Sequence, residues 1–347
     1  PERRNLMRKL LAVLVGTLLL AGCAAPAAAP TPSVTATPSA TPSLTAARIG
    51  LSYIPNVQFA PFYVAEADGL FAANGVAATL RHHGASEGLF TAIAAGQEDF
   101  VIAGGDEALQ AREQGIDLVA IATYYRSYPV QIIAKESGPI DSLAGLKGKR
   151  IGVPGRYGES WFGLLVALDS AGLTEKDVDI VEVGYTQQAA LTTGKVDAVV
   201  GFSNNDLVQF GLSKVAVTAL PLTDTGEPPL VSISLLTSRS YLTAHPEVAQ
   251  SVARAMVAGI SRTDEDPERA LTIAAEQVPG LGVEPALTAA RATLTATRKV
   301  MLTAAGKADG SLDMAQWQAM ADFMLAKGLL TKAADVTAAT APAVLAG

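Results

Sequence analysis

From residue 48 onward, strand-like apolar runs alternate with helix-patterned segments, and the alternation occurs twice. In the first unit, strand signals fall at 48–53, 76–82, 100–103 and 118–124, with helix signals at 60–68, 89–95 and 106–114 between them. Gly69 and Gly115 follow two of these helices and supply their C-terminal stops. The second unit places strands at 150–153, 179–183, 198–202 and 215–220, with helices at 160–171 and 187–193. This rhythm predicts an α/β fold with mostly parallel sheets covered by helices. Two further runs, 130–134 and 230–237, are expected to cross between the units as a hinge. The chain after 241 reads as Ala-rich helices, with Val248, Val252, Met256 and Ile260 on one face. The result is a two-lobed clamshell, with 48–133 and 233–347 as lobe 1 and 134–232 as lobe 2. Ligands of open α/β sheets bind at the carboxyl ends of the strands, so the cleft is the expected site.

The first residues read as an address. Arg8 and Lys9 precede an uncharged run at 10–21 that is shorter than the about 20 residues of a spanning helix. Leu20-Ala21-Gly22-Cys23 then resembles a lipobox, so residues 1–23 are expected to be a lipoprotein signal peptide with Cys23 as the lipidation site. Acyl chains on Cys23 would hold the protein at a bilayer. Residues 24–47 are mainly Ala, Pro, Ser and Thr, the composition of a flexible leash.

A net charge of −7 argues against nucleic acid, which needs a basic face. Cys23 is the only cysteine, so the folded part has neither disulfides nor thiolate chemistry. Both facts suit an extracytoplasmic setting and a monomeric, cofactor-free protein.

The segment Leu51-Ser52-Tyr53-Ile54-Pro55-Asn56-Val57-Gln58-Phe59-Ala60-Pro61-Phe62-Tyr63 resembles the opening of a family of solute-binding proteins. That family serves riboflavin, thiamine-pyrimidine precursors, alkanesulfonates and taurine, and includes a eukaryotic thiamine-pyrimidine synthase. Ala94-Ala95-Gly96-Gln97-Glu98-Asp99-Phe100 is similar to its helix-to-strand step, and Leu191-Thr192-Thr193-Gly194-Lys195-Val196-Asp197-Ala198 to the second-lobe counterpart. The resemblance implies the type II periplasmic-binding-protein fold and the binding component of an ABC importer, working with a permease. The synthase depends on a cysteine-rich motif that this chain lacks after Cys23, so no enzymatic activity is expected.

Three patterns imitate other chemistry. Gly84-Ala85-Ser86-Glu87-Gly88 matches G-x-S-x-G, the turn of a serine hydrolase, but His245 is the sole downstream histidine and begins a helix. A small-residue turn offering N–H groups to a ligand explains the segment better. Gly152, Gly155 and Gly158 miss the dinucleotide spacing G-x-G-x-x-G. His82 and His83 are adjacent in a strand and point to opposite faces, which suits no shared metal.

Aromatic residues make up 5% of the chain, yet Tyr53, Phe59, Tyr124, Tyr157, Trp161 and Tyr185 gather at predicted strand ends. Tyr53 and Trp161 are the expected stacking pair, one from each lobe. Glu87, Asp106, Glu107, Glu159 and Asp206 also fall there, beside Ser86 and Ser160, with Asn56, Asn204 and Asn205 as amide readers. Helix capping accounts for part of the acidic set. A carboxylate at the second-lobe helix start would repel an anion unless Arg126 or Arg156 compensates. The expected ligand is a planar, uncharged, vitamin-like heterocycle. Riboflavin fits best, with the pyrimidine precursor next and sulfonates or taurine last.

Overall fold

The computed structural model describes residues 44–84, 88–224 and 226–346. Signal peptide, Cys23 and most of the leash lie outside them, as do Ser86 and Glu87. Among the described residues no helix is long and apolar enough to cross a membrane.

Ten strands form two five-stranded sheets. They are β1 (Thr45–Leu51), β2 (Val76–His82), β3 (Phe100–Gly104), β4 (Leu118–Thr123), β5 (Val130–Lys135), β6 (Arg150–Val153), β7 (Asp179–Glu182), β8 (Ala198–Phe202), β9 (Val217–Leu220) and β10 (Ile233–Ser238). The first sheet runs β2-β1-β3-β10-β4 and the second β7-β6-β8-β5-β9. Each opens with parallel pairs, β1 with β2 and β3, then β6 with β7 and β8. Each is then entered by an antiparallel strand, β10 between β3 and β4, β5 between β8 and β9. The two sheets therefore share one topology and are mixed.

Two expectations need correction. Residues 130–134 do not cross between the sheets, because β5 is hydrogen-bonded on both sides within the second. Residues 124–129 and 221–232 make the crossings instead. Likewise β1 begins at Thr45, inside the expected leash, because Thr45, Ala46 and Ala47 pair with Val76, Ala77 and Ala78.

The same strand start recurs in both sheets. β1 carries Arg48-Ile49-Gly50 and β6 carries Arg150-Ile151-Gly152. Arg48 forks onto Asp99 through Nε and Nη2 at 3.0 and 2.7 Å, and Arg150 onto Asp197 at 3.2 and 2.7 Å. Asp99 and Asp197 end the two helix-to-strand steps, whose turns at Gly96 and Gly194 take left-handed backbone, φ +66° and +75°. The family-like segments thus tie the start of β3 to β1 and the start of β8 to β6.

One core lies under the first sheet, where helix Ala60–Ala67 is buried against helix Pro246–Glu265. Gly259 permits that approach, since a Cβ there would lie 2.2 Å from the Pro61 carbonyl oxygen. Another core joins β3–β6 and β8 to helices Gly158–Ser170 and Met314–Ala326.

Candidate functional site

A cavity of about 890 Å3 opens between the two sheets, within the range of small-molecule sites. The segment after β1 brings Tyr53, Asn56 and Phe59, all on its wall. Asn56 caps the short helix Val57–Phe59, its side chain accepting the Gln58 N–H at 3.0 Å. Phe59 is almost buried and meets the His82 ring edge-on, so it serves the core as well as the wall.

Tyr124 lines the cavity from the first crossing, its ring stacked on Tyr125 at 5.2 Å and its hydroxyl donating to the Gln58 carbonyl. From the second lobe come Tyr157, Glu159, Ser160, Tyr185 and Asn205. Tyr157 lies over Gly155, where a Cβ would stand 2.3 Å from the ring. The ring position therefore requires glycine.

Three expected residues are elsewhere. Trp161 is packed in the core, with the Arg156 guanidinium 4.8 Å from its ring centroid. It cannot be the second-lobe stacking partner, because a helix turns about 100° per residue and this one presents Glu159 and Ser160 to the cleft. Tyr185 instead is the second-lobe ring on the cavity wall that meets Tyr53, at 4.9 Å and 77°. Asn204 lies below the wall, donating to Tyr125 at 3.3 Å and Thr297 at 3.1 Å. Asp106 is fully buried behind Glu107, which reaches the wall instead. Ser86 and Glu87 lie outside the described residues, although Gly84 and Gly88 on either side both line the cavity.

Sequence reading placed Glu107 and Asp206 among the acidic residues of the cleft loops without assigning them to the site, and missed several other wall residues. Glu107, Gln110, Ala111 and Gln114 line the cavity from one helix at steps of three and four. That stripe was a legible signal, since such spacing marks one helical face. Asp206 and Gln209 repeat it on helix Asp206–Leu212. Gln58, Gln187 and Gln188 carried no comparable signal.

The electrostatics are one-sided. Among the described residues no lysine or arginine lines the cavity, while Glu107, Glu159 and Asp206 do. Arg156 pairs with Glu175 and Arg126 with Asp309, so neither compensates the wall carboxyls. Burial pushes Asp206 up to about 6, against the Phe202 N–H that bonds its carboxylate. Burial, then the neighbouring Asp106, pushes Glu107 up to about 8. Glu159 is held well above the usual carboxylate range by burial, then by Asp106. At neutral pH Glu107 and Glu159 thus stand as carboxylic acids that can donate as well as accept, while Asp206 is mostly ionised.

The decoy patterns find ordinary places. His245 packs on Tyr241 rather than on the cavity wall. His82 bonds the Tyr63 hydroxyl, while His83 meets Glu98 at 2.9 Å. Among the described residues no group of three or more His, Cys, Asp or Glu side chains could hold a metal.

The NMT1/THI5-like family model matches residues 56–270. The chain belongs to the NMT1/THI5-like family. It is 32% identical to the riboflavin-binding protein RibY of Chloroflexus aurantiacus over 303 residues, covering 83% of this chain and 82% of that protein. It is 24% identical to the formylaminopyrimidine-binding protein of Halalkalibacterium halodurans, covering 64% and 68%. Among solved structures it superposes on the alkanesulfonate-binding protein SsuA of Xanthomonas axonopodis, bound to MOPS, with TM-score 0.67, 22% identity and coverage of 86% and 98%. That likeness shows the periplasmic-binding-protein fold. Other members of the family are named as pyrimidine phosphate synthases, so membership alone does not separate binder from enzyme.

Proposed function

We propose that this protein is the extracytoplasmic binding component of an ABC importer and that its ligand is riboflavin. The carrying observation is an aromatic cleft wall bearing three carboxyl groups and, among the described residues, no lysine or arginine. A flat ring system can lie against Tyr53 and Tyr185, with its imide edge toward Glu107 and Glu159. A protonated carboxyl donates to a ring carbonyl while its carbonyl oxygen accepts the imide N–H. The glutamines at 110, 114, 188 and 209 suit a hydroxylated chain. The similarity to a riboflavin-binding protein over most of both chains agrees with this reading.

The two sheets would then be the two lobes, dividing at 129/130 and 232/233 and closing over the ligand as a monomer. The leash and a lipid on Cys23 would keep the protein beside its permease. Mass spectrometry of the membrane form is the direct check on Cys23.

Binding is tested by titrating riboflavin into the protein and following quenching of flavin fluorescence. Flavin mononucleotide should bind at least about tenfold more weakly, since a desolvated phosphate would face carboxyls and, among the described residues, no lysine or arginine. Tight binding of a formylaminopyrimidine with no riboflavin binding would favour the second reading, which the same carboxyls support. Binding of sulfonates alone would sink both.

A further inference from the structure

Behind the cleft wall, the seam between the lobes holds a network built on both crossings. Tyr128, in the first crossing, is buried, its hydroxyl oxygen 2.8 Å from Asp106 Oδ2 and 2.9 Å from the Glu159 carbonyl oxygen. Asp106 belongs to the helix after β3, in the first lobe. Glu159 belongs to the first turn of helix Gly158–Ser170, in the second. On the other side Ser232, in the second crossing, bonds Glu159 Oε1 at 2.5 Å. The backbones interlock as well. A Cβ at Gly104 of the first lobe would lie 3.3 Å from Glu159 Cγ, and one at Gly158 of the second would lie 3.5 Å from Glu107 Oε1.

The hydrogen count decides the state of this network. A phenol has one hydrogen, and a peptide carbonyl can only accept. If the Tyr128 hydrogen goes to the Glu159 carbonyl, Asp106 Oδ2 can keep its contact only by donating to the phenol oxygen. If the hydrogen goes to Asp106, the phenol oxygen and the carbonyl face each other at 2.9 Å with no hydrogen between them. Both contacts are full two-centre hydrogen bonds when Asp106 is a carboxylic acid, whereas an ionised Asp106 would have to share the single phenol hydrogen with the Glu159 carbonyl in a weaker three-centre bond.

We propose that the seam is a proton-operated latch: protonated Asp106, through Tyr128, holds the lobes together, and loss of that proton drives them apart. The groups facing the latch are Asp106, Glu107 and Glu159, with Tyr125, Tyr128 and Ser232. The charged groups at the back are Arg126, Glu227 and Asp313, lining a second cavity of about 130 Å3 with Tyr128 and Ser232. Arg126 is paired with Asp309, so it does not neutralise the carboxyls. The small cavity has room for several waters at ~30 Å3 each, which would give a route for proton exchange. Burial pushes Asp106 up to about 7, which agrees with the hydrogen count. The folded state therefore binds a proton that the unfolded state, with the ordinary aspartate value of 3.8, has released. The stabilisation is full below pH about 4 and is lost as the pH rises through about 7.

The proposal rests on the two-lobed reading but not on the ligand's identity, so it is tested without ligand. The radius of gyration of the full chain is measured by small-angle scattering across pH 5 to 9, beside the infrared band of protonated carboxyls. The expected result is expansion with a midpoint near pH 7, coincident with loss of that band. Asp106→Asn keeps a donor to Tyr128 and carries no charge, so it should stay compact across the range. A wild-type radius that does not change with pH overturns the latch. So does an Asp106→Asn protein, folded by circular dichroism, that expands as the wild type does.

Discussion

The two lobes are copies of one scaffold that diverge beneath one glycine. Gly50 in β1 and Gly152 in β6 hold equivalent places, two residues after the arginine that forks onto the aspartate of the neighbouring strand. In the first lobe a Cβ at Gly50 would lie 2.3 Å from Glu98 Oε2 and 2.9 Å from His83 Nε2. In the second a Cβ at Gly152 would meet Val199 and Val196 at 3.1 and 3.3 Å. The same cleared space is filled by the hydrogen-bonded Glu98 and His83 side chains on one side and by valines on the other. His83 also lines the cavity, so the polar filling reaches the cleft, whereas neither valine does. A repeated scaffold can thus be kept by its Arg–Asp fork while the layer beneath the ligand is changed.

The largest contrast should come from that layer. Glu98→Ala leaves His83 and the Arg81 end of its ion pair facing a buried gap, and breaking a buried pair costs about 3–5 kcal/mol. Val196→Ala removes two methyl groups from a small core and should cost about 1–2 kcal/mol. Urea unfolding measures both, and equal costs would show that the two fillings are energetically alike.

Next comes the aromatic wall. Tyr185→Ala should weaken ligand binding by about 2 kcal/mol, roughly 30-fold, with little change in melting temperature, because the ring is two-fifths exposed. Trp161→Ala should do the reverse, lowering stability by about 3 kcal/mol while leaving the wall in place. A Trp161 variant that folds normally but no longer binds would restore it to the site.

The smallest contrast separates the two forks. Asp99 is 10% exposed at its side chain and Asp197 is 30% exposed. Asp99→Asn should therefore lower the melting temperature more than Asp197→Asn, and salt should narrow the gap less at Asp99. A reversed order would mean that the second lobe depends more on its fork than burial implies.

Much of this was readable from sequence. The alternation of periods placed all ten strands to within a few residues, and the two helix-to-strand steps marked the repeat. The crossings were misplaced because β5 is an apolar run, and a run of that kind looks the same in either sheet. Trp161 was misread for a similar reason. A residue in the first turn of a helix is near the cleft whichever way it points, and nothing local says which face is turned inward. Glu107, Gln110 and Gln114 were the opposite case, a helical stripe visible in the sequence of which only Glu107 was noticed. Tyr185 follows a strand end as Tyr53 does, but their meeting is a tertiary fact that joins residues far apart in the chain.

That meeting bears on timing. With the Tyr53 and Tyr185 rings 4.9 Å apart, the two lobes touch across the mouth of the cleft. If the lobes close over a ligand as proposed, this contact must part and re-form as they move, so residence time would be set by the frequency of opening as well as by the ligand's contacts. Entry would obey the same motion, and the opened fraction of the protein would do the capturing. A strong binder would therefore exchange slowly with free ligand, and handover would depend on whatever separates the rings rather than on weakening of the pocket itself.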